Sequence, residues 1–414
     1  MLNASGAIQV DKAQQISTDE RSQTRRNVGL LSLCQALLFT NNSTSIAINA
    51  LAGVVLAPEP AMATVPVTCW VVGAAITTLP ASMLMRRVGR QVGFMTGASI
   101  GMVGAFVAAM ALFLHQFWML CAGTLILGAY NAFGQYYRFA AADVSPPDFK
   151  AQAISYVLAG GIVGGIVGPT VSRQTVDLFD ARYAGAYLSL IVFMLIALVV
   201  MSRLRIPALT EAEANAEQRP LRVILRQPVA IVAILTGALG YGVMNFMMVS
   251  TPLEMTTVCG FDYGDAATVI SAHVVGMFGP SFFTGHLIKR FGVINIMIAG
   301  VVVNVLCLSI SLSGLTFAHF FVSMMLLGVG WNFLFIGATT LLTSAYRPSE
   351  RAKVQGANDL CIFMTTMTSS LASGYQLQSS GWTTINFIGL AAVATCALAI
   401  FSYMRHTRSC ALGA

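Results

Sequence analysis

The chain has 414 residues, of which 56% are hydrophobic and only 9% charged, with a mean hydropathy of +0.75. Soluble domains carry about a quarter charged residues, so there is too little charge here to coat a water-exposed surface, and a set of soluble domains is excluded. The formal net charge of +7 would suit a nucleic-acid partner, but the positions of the basic residues decide otherwise.

In chain order, residues 1–27 form a polar tail carrying Lys12, Arg21, Arg25 and Arg26, with no cleavable leader pattern. Apolar runs follow at 29–51, 62–85, 93–114, 117–140, 152–172 and 183–202, each near the roughly 20 residues that cross a bilayer. A polar segment over 203–227 then separates them from runs at 228–251, 266–288, 293–313, 317–344, 353–378 and 382–404, and a short tail over 405–414 closes the chain. Lipid requires every backbone N–H and C=O to be satisfied within its own segment. The expected fold is therefore an all-α membrane protein of twelve transmembrane helices, in bundles over 28–202 and 228–404.

The connections sort by charge. With the N-terminus inside, 20 of the 23 Lys and Arg fall in or at the edges of the inner connections and tails, Arg138 lies within the run 117–140, and only Arg173 and Arg182 fall outside. This places both termini and the 203–227 linker in the cytoplasm. Anionic lipid and topology account for the positive charge, so no nucleic-acid partner is expected. The eight cysteines show no CxxC pair, and neither a disulfide framework nor a zinc site is legible.

The two halves repeat. Trp70-Val71-Val72-Gly73 matches His273-Val274-Val275-Gly276, and the same offset of 203 aligns Arg87 and Gly89 with Arg290 and Gly292. At an offset of 201, Asn131 aligns with Asn332, Pro147 with Pro348 and Lys150 with Arg351. Internal repeats of this kind mark secondary transporters, whose substrate site lies between the halves near the midplane.

The segments Ser82-Met83-Leu84-Met85-Arg86-Arg87-Val88-Gly89-Arg90 and Gly285-His286-Leu287-Ile288-Lys289-Arg290-Phe291-Gly292 resemble the basic loop motif of the major facilitator superfamily. Gly285, Arg87, Gly89, Arg290 and Gly292 keep its pattern, while Arg86 and Lys289 stand at its acidic position and Ser82 replaces its first Gly. Any latch that the acidic residue provides must differ here, although these residues and Arg90 are still expected to act as gating loops. The run from Gly160 to Pro169 resembles the superfamily's glycine-and-proline motif, with Gly164, Gly168 and Pro169 expected at a helix-packing face.

A narrower resemblance lies in the second half. Met244 and Met248 form MxxxM, and His273 and Met277 form HxxxM, as in CcoA-like transporters, a branch of bacterial copper importers with riboflavin transporters as more distant members. The resemblance implies Met244, Met248, His273 and Met277 as contacts for copper, carried as a transported ion and not as a cofactor, across the bacterial inner membrane. Residues at i, i+4 share a helix face, and thioethers suit Cu(I), although Met is also a flexible core filler.

Amides and aromatics offer a different pocket. Asn41, Asn42, Asn131, Gln135 and Asn332, with Trp70 and Trp331, suit a planar hydrogen-bonding solute such as a flavin. Asp359 is a carboxylate well inside an apolar span, a candidate for coupling to protons or for pairing with a base such as Arg138. No GxxxxGK[ST] loop and no paired histidine spacing is present, so neither ATP coupling nor a metalloenzyme is expected. The chain reads as a secondary transporter, not an enzyme, acting as a monomer on copper or, alternatively, on riboflavin or another small solute; a non-transporting sensor or assembly factor is the further alternative.

Overall fold

The computed structural model describes residues 3–59, 62–207 and 217–412, with the side chains of 3–20, 263, 378 and 408–412 outside that description. The first half comprises α1 (Asn3–Leu56), α2 (Val65–Val88), α3 (Arg90–Phe113), α4 (Phe117–Gly134), α5 (Tyr137–Asp143), α6 (Lys150–Thr175) and α7 (Ala184–Ser202). A short α8 (Leu221–Leu225) ends the linker, whose Glu211 and Glu213 lie outside the described residues. The second half comprises α9 (Pro228–Leu253), α10 (Tyr263–Phe278), α11 (Ser281–Phe291), α12 (Val293–Ser313), α13 (Phe317–Leu342) and α14 (Arg351–Leu412).

Twelve membrane helices result from this list among the described residues. The pairs α4–α5 and α10–α11 are each one span with a break, at Gln135-Tyr136 and at Gly279-Pro280, and α14 is two spans joined at Gly381, which has φ 76°. Ten spans are apolar enough to cross a membrane on length and hydropathy alone. The other two are the later part of α1 and α14 before Gly381, whose polar residues are turned inward: Gln35, Asn41, Thr44, Gln355, Asn358 and Asp359 are all buried. Polarity facing protein costs far less than polarity facing lipid, which is why these helices can be polar and still span.

The repeat is visible in the backbone. Gly89 and Gly292, 203 positions apart, both have positive φ (86° and 85°) with ψ of 162° and 152°, and each joins two helices head to tail. Only glycine takes this conformation without strain, so the loop motif is kept for its turn in both halves although its acidic residue is absent.

The halves meet at the end carrying the basic loops. Ser82 Oγ of α2 donates to the Ala352 carbonyl of α14 at 2.6 Å. Ser155 of α6 accepts from the Gly285 amide of α11 at 3.0 Å and donates to the Ser281 carbonyl. Gly285 lies so close to α6 that a Cβ there would fall 2.5 Å from Gln152 Cα. At the same end, in place of the missing acidic residue, Arg90, buried, donates to Asp143 at 2.7 Å and to Gln355 across the interface at 2.6 Å, and Arg351 reaches Asp143 at 3.4 Å. Of the other residues expected in the gating loops, Lys289 pairs with Asp148 at 3.5 Å within an exposed surface, and the Arg290 guanidinium lies over the Phe291 ring.

Both ends of the linker are pinned, one to each half. Asn27 of α1 exchanges two hydrogen bonds with the Arg205 backbone, at 2.8 and 3.1 Å. Arg219 binds the buried Glu350 carboxylate through two side-chain nitrogens and its own amide, at 2.6–2.9 Å. These bonds from Arg219 hold the Glu350 carboxyl down at about 2.

Candidate functional site: a polar chain and an aromatic wall between the halves

Asn131, Gln135 and Arg138 stand at i, i+4 and i+7 along α4 and α5, which puts them on one face. Asn42 of α1 donates to Asn131 Oδ1 at 2.9 Å, and Gln135 donates to the same oxygen at 3.2 Å. Arg138 donates to the Gln135 side chain at 2.9 Å and then to Asp359 Oδ1 of α14, which also accepts from Asn358 at 2.8 Å. One hydrogen-bonded chain therefore runs from α1 through α4 and α5 into the opposite half. It ends in a buried ion pair, whose side chains are 3% and 2% exposed.

Beside this chain is an aromatic wall. The Arg138 guanidinium is held between Phe139 and Phe335, 4.6 and 4.7 Å from their ring centres. Phe335 stacks on Trp331 at 4.8 Å and 16°, as expected for residues one turn apart on α13. Tyr241 of α9 meets both rings edge-on at 5.5 Å. Phe278 at the end of α10 meets Trp331 at 5.9 Å and, across the boundary, Phe39 of α1 at 4.7 Å.

Among the described residues, the buried Asp359 Oδ2, Arg138 Nε and Trp331 Nε1 have no hydrogen-bond partner. An unpaired buried donor or acceptor costs about 1–3 kcal/mol, more when charged. Such atoms mark a place where a ligand or water would be stabilised, with one acceptor and two donors on offer next to flat apolar rings.

The expected pocket residues divide. Asn42, Asn131 and Gln135 belong to the chain and Trp331 to the wall. Asn41, also buried, gives its amide nitrogen to the Leu37 carbonyl one turn back. Trp70 is half-buried on α2, where its carbonyl abuts Gly128 of α4, and no ring contact joins it to the wall among the described residues. Asn332, the repeat partner of Asn131, is fully occupied as a splint for the α10–α11 break. It donates to the Met277 carbonyl and Ser281 Oγ at 2.6 Å and accepts from Thr284 at 2.7 Å.

The methionine and histidine set is mostly buried. His273 is completely buried and its Nδ1 is bonded to the Met324 carbonyl of α13 at 2.8 Å, which commits that nitrogen as a donor and turns the ring toward its own half. Met244 and Met277 are buried and Met248 half-buried. Gly164 and Gly168 press α6 onto α1, whose Thr40 nitrogen and oxygen would lie 2.5 and 2.8 Å from added Cβ atoms, just before Pro169 within the same helix.

Sequence reasoning named Arg138 as a partner for Asp359 but missed Phe39, Tyr241, Phe278 and Phe335. The spacing of Phe335 four residues after Trp331 was the available signal for a stacked pair; the other three come from separate helices.

The family model described as Major Facilitator Superfamily matches residues 31–308 and 241–410. The chain is 41% identical over 373 residues to the riboflavin transporter RfnT of Brucella anthropi, covering 89% of this chain and 93% of that protein. It is 26% identical over 393 residues to the MFS-type transporter YdeG of Bacillus subtilis, covering 90% and 91%. Among solved structures it is similar to the transporter FucP in the outward conformation, with a TM-score of 0.74 at 15% identity over 92% of this chain and 98% of that one. A bacterial homologue of the iron transporter ferroportin in an outward-facing state gives a TM-score of 0.70 at 15% identity, over 92% and 99%. These likenesses lend no support to a copper branch built on Met244, Met248, His273 and Met277; the relative at 41% identity has the alternative substrate in its name. The chain is a member of the major facilitator superfamily of membrane transporters.

Proposed function

We propose that this protein imports riboflavin, or a solute of the same planar, hydrogen-bonding class, by alternating access across the bacterial inner membrane. The observation that carries the reading is the 41% identity to a riboflavin transporter over nearly the whole of both chains. The site supports it in kind: a flavin ring has two flat faces for Trp331, Phe335 and Tyr241, and an edge of carbonyl and N–H groups for Arg138 Nε, Trp331 Nε1 and Asp359 Oδ2. A bare copper ion would use neither the rings nor the donors. In this reading both termini and the linker are cytoplasmic, on the charge asymmetry of 20 to 2, and the halves are closed on the cytoplasmic side, ready for solute from outside.

Asp359 is the proposed coupling residue. A carboxylate that exchanges a guanidinium for a proton or a bound cation as the halves separate links that step to an ion gradient, since Arg138 and Asp359 lie on opposite halves. Flavin fluorescence tests the binding half of the proposal. Purified protein should quench riboflavin emission saturably, and Trp331→Leu should weaken the quenching several-fold; equal quenching by the variant would remove Trp331 from the site.

A further inference from the structure

Between α9 and the two spans of α14 the structure holds a cavity of about 500 Å³. Val243 and Phe246 line it from α9, Thr365 and Ala372 from the first span of α14, and Gly389 and Ala392 from the second. It lies away from the polar chain, because Thr368 of its lining follows Asp359 by nine residues, about two and a half turns, and so stands on the opposite face of the helix. On that face Met364, Thr368, Leu371 and Tyr375 are exposed, as is Ile388 of the lining on the second span. Exposed apolar side chains within a span meet hydrocarbon, so the cavity opens sideways into the bilayer.

The lining is apolar in effect, although it contains hydroxyls. Thr365 donates to the Cys361 carbonyl at 2.8 Å, Thr368 to the Met364 carbonyl at 2.9 Å and Ser369 to the Thr366 carbonyl at 2.9 Å. Each hydroxyl is spent on its own helix, and none of the described lining residues is charged. Gln376 brings an amide, at the end of the cavity farthest from the basic side, where it suits the ester end of a lipid. From Met364 to Gln376 the lining of α14 covers twelve residues, or about 18 Å of helix. A space that is long, apolar and open to lipid fits a hydrocarbon chain better than a compact polar solute.

We propose that this cavity binds one acyl chain of a membrane phospholipid, which enters from the bilayer between the two spans of α14. Side chains that line a space gain dispersion contacts only when atoms fill it, and the surrounding bilayer supplies a chain of the right chemistry at high local concentration. The volume is within the roughly 300–1,000 Å³ of ligand pockets. The inference is independent of the substrate, because none of the lining residues belongs to the polar chain or the aromatic wall.

The test uses the whole purified protein in nanodiscs that contain a phosphatidylcholine with a photoactivatable diazirine at mid-chain. Adducts formed on illumination are mapped by mass spectrometry of peptides. Val243 and Phe246 are buried on α9, so only a chain inside the cavity reaches them. Both should carry adducts. Ala372→Leu and Ala392→Leu, which fill the cavity from different spans, should each lower those adducts several-fold and leave adducts on the exposed Val199 of α7 unchanged. Adducts confined to exposed residues such as Met364 and Leu371, or adducts on Val243 and Phe246 that neither variant lowers, overturn the proposal.

Discussion

Two helix pairs related by the repeat are packed in opposite ways. In the first half, Gly160, Gly164 and Gly168 of α6 lie one turn apart against α1, and a Cβ at these positions would meet Ser32, Ala36 and Thr40 backbone atoms at 2.2–2.8 Å. At the positions 201 residues later, α14 carries Cys361, Thr365 and Ser369 against α9. There side chains stand in the seam, Thr365 Cγ2 lying 2.7 Å from where a Cβ on Gly242 would fall, and the cavity of about 500 Å³ opens beside it, lined by Gly242, Phe246, Thr365, Ser369 and Ile388 among others. Asn245 bridges part of the gap through the Thr366 carbonyl at 3.2 Å and Ser369 Oγ at 3.0 Å. In lipid, helices associate through close packing of small residues and through polar contacts. The first half uses the former and the second the latter, so the second half is the one with room to repack during transport.

The largest expected effect belongs to the pair tying the tight half to the loose one. Arg138→Ala leaves Asp359 buried without its base, and breaking a buried ion pair from one side costs about 3–5 kcal/mol. Asp359→Asn keeps the volume and an acceptor for Arg138 but leaves its guanidinium without a counter-charge, so it should lower the unfolding midpoint less than Arg138→Ala while losing accumulation of solute against a gradient; unchanged accumulation per folded protein would leave Asp359 with a structural role only. Next come substitutions at the packing seam. Gly164→Leu forces atoms into the α1 backbone, and overpacking of this kind costs about 1–3 kcal/mol, read as a lower unfolding midpoint. Thr365→Leu, at the matching position beside the cavity, should change stability by less than about 1 kcal/mol, as fits a site with space to fill. Equal losses for Gly164→Leu and Thr365→Leu would break the comparison.

The smallest effect concerns the linker clip. The Glu350 carboxyl is lowered from 4.5 to about 2 by Arg219. A depressed carboxyl contributes stability above its unfolded value and loses it as pH falls through the folded one. The midpoint difference between the unmodified protein and Glu350→Gln should therefore be full above about pH 5 and shrink as pH falls from about 4.5 toward 2. A difference independent of pH would show that the clip is not ionic.

Much of this fold was legible in the residues. Long apolar runs gave the spans, and Gly89 and Gly292 gave the repeat, down to their matching φ. The two polar spans, in α1 and α14, were read as apolar runs with the rest, although their hydropathy falls below that of the other ten. What periodicity does not encode is the lateral neighbour of each helix face. Asn131 and Asn332 are equivalent in sequence, yet one extends a chain between the halves and the other splints a break within one. His273, implied as a copper contact, is buried, and its partner is the Met324 carbonyl of α13, 51 residues away. The aromatic wall was the least visible part, because it gathers side chains from α1, α9, α10 and α13.

Transport itself tests the central claim most directly. Cells that cannot make riboflavin or take it up, with and without this chain, should be compared for accumulation of radiolabelled riboflavin and of radioactive copper. The account predicts that the chain confers saturable riboflavin accumulation, that Asp359→Asn abolishes it, and that copper content does not change. Accumulation of copper with no gain in riboflavin, lost in Met248→Leu and Met277→Leu, would contradict it.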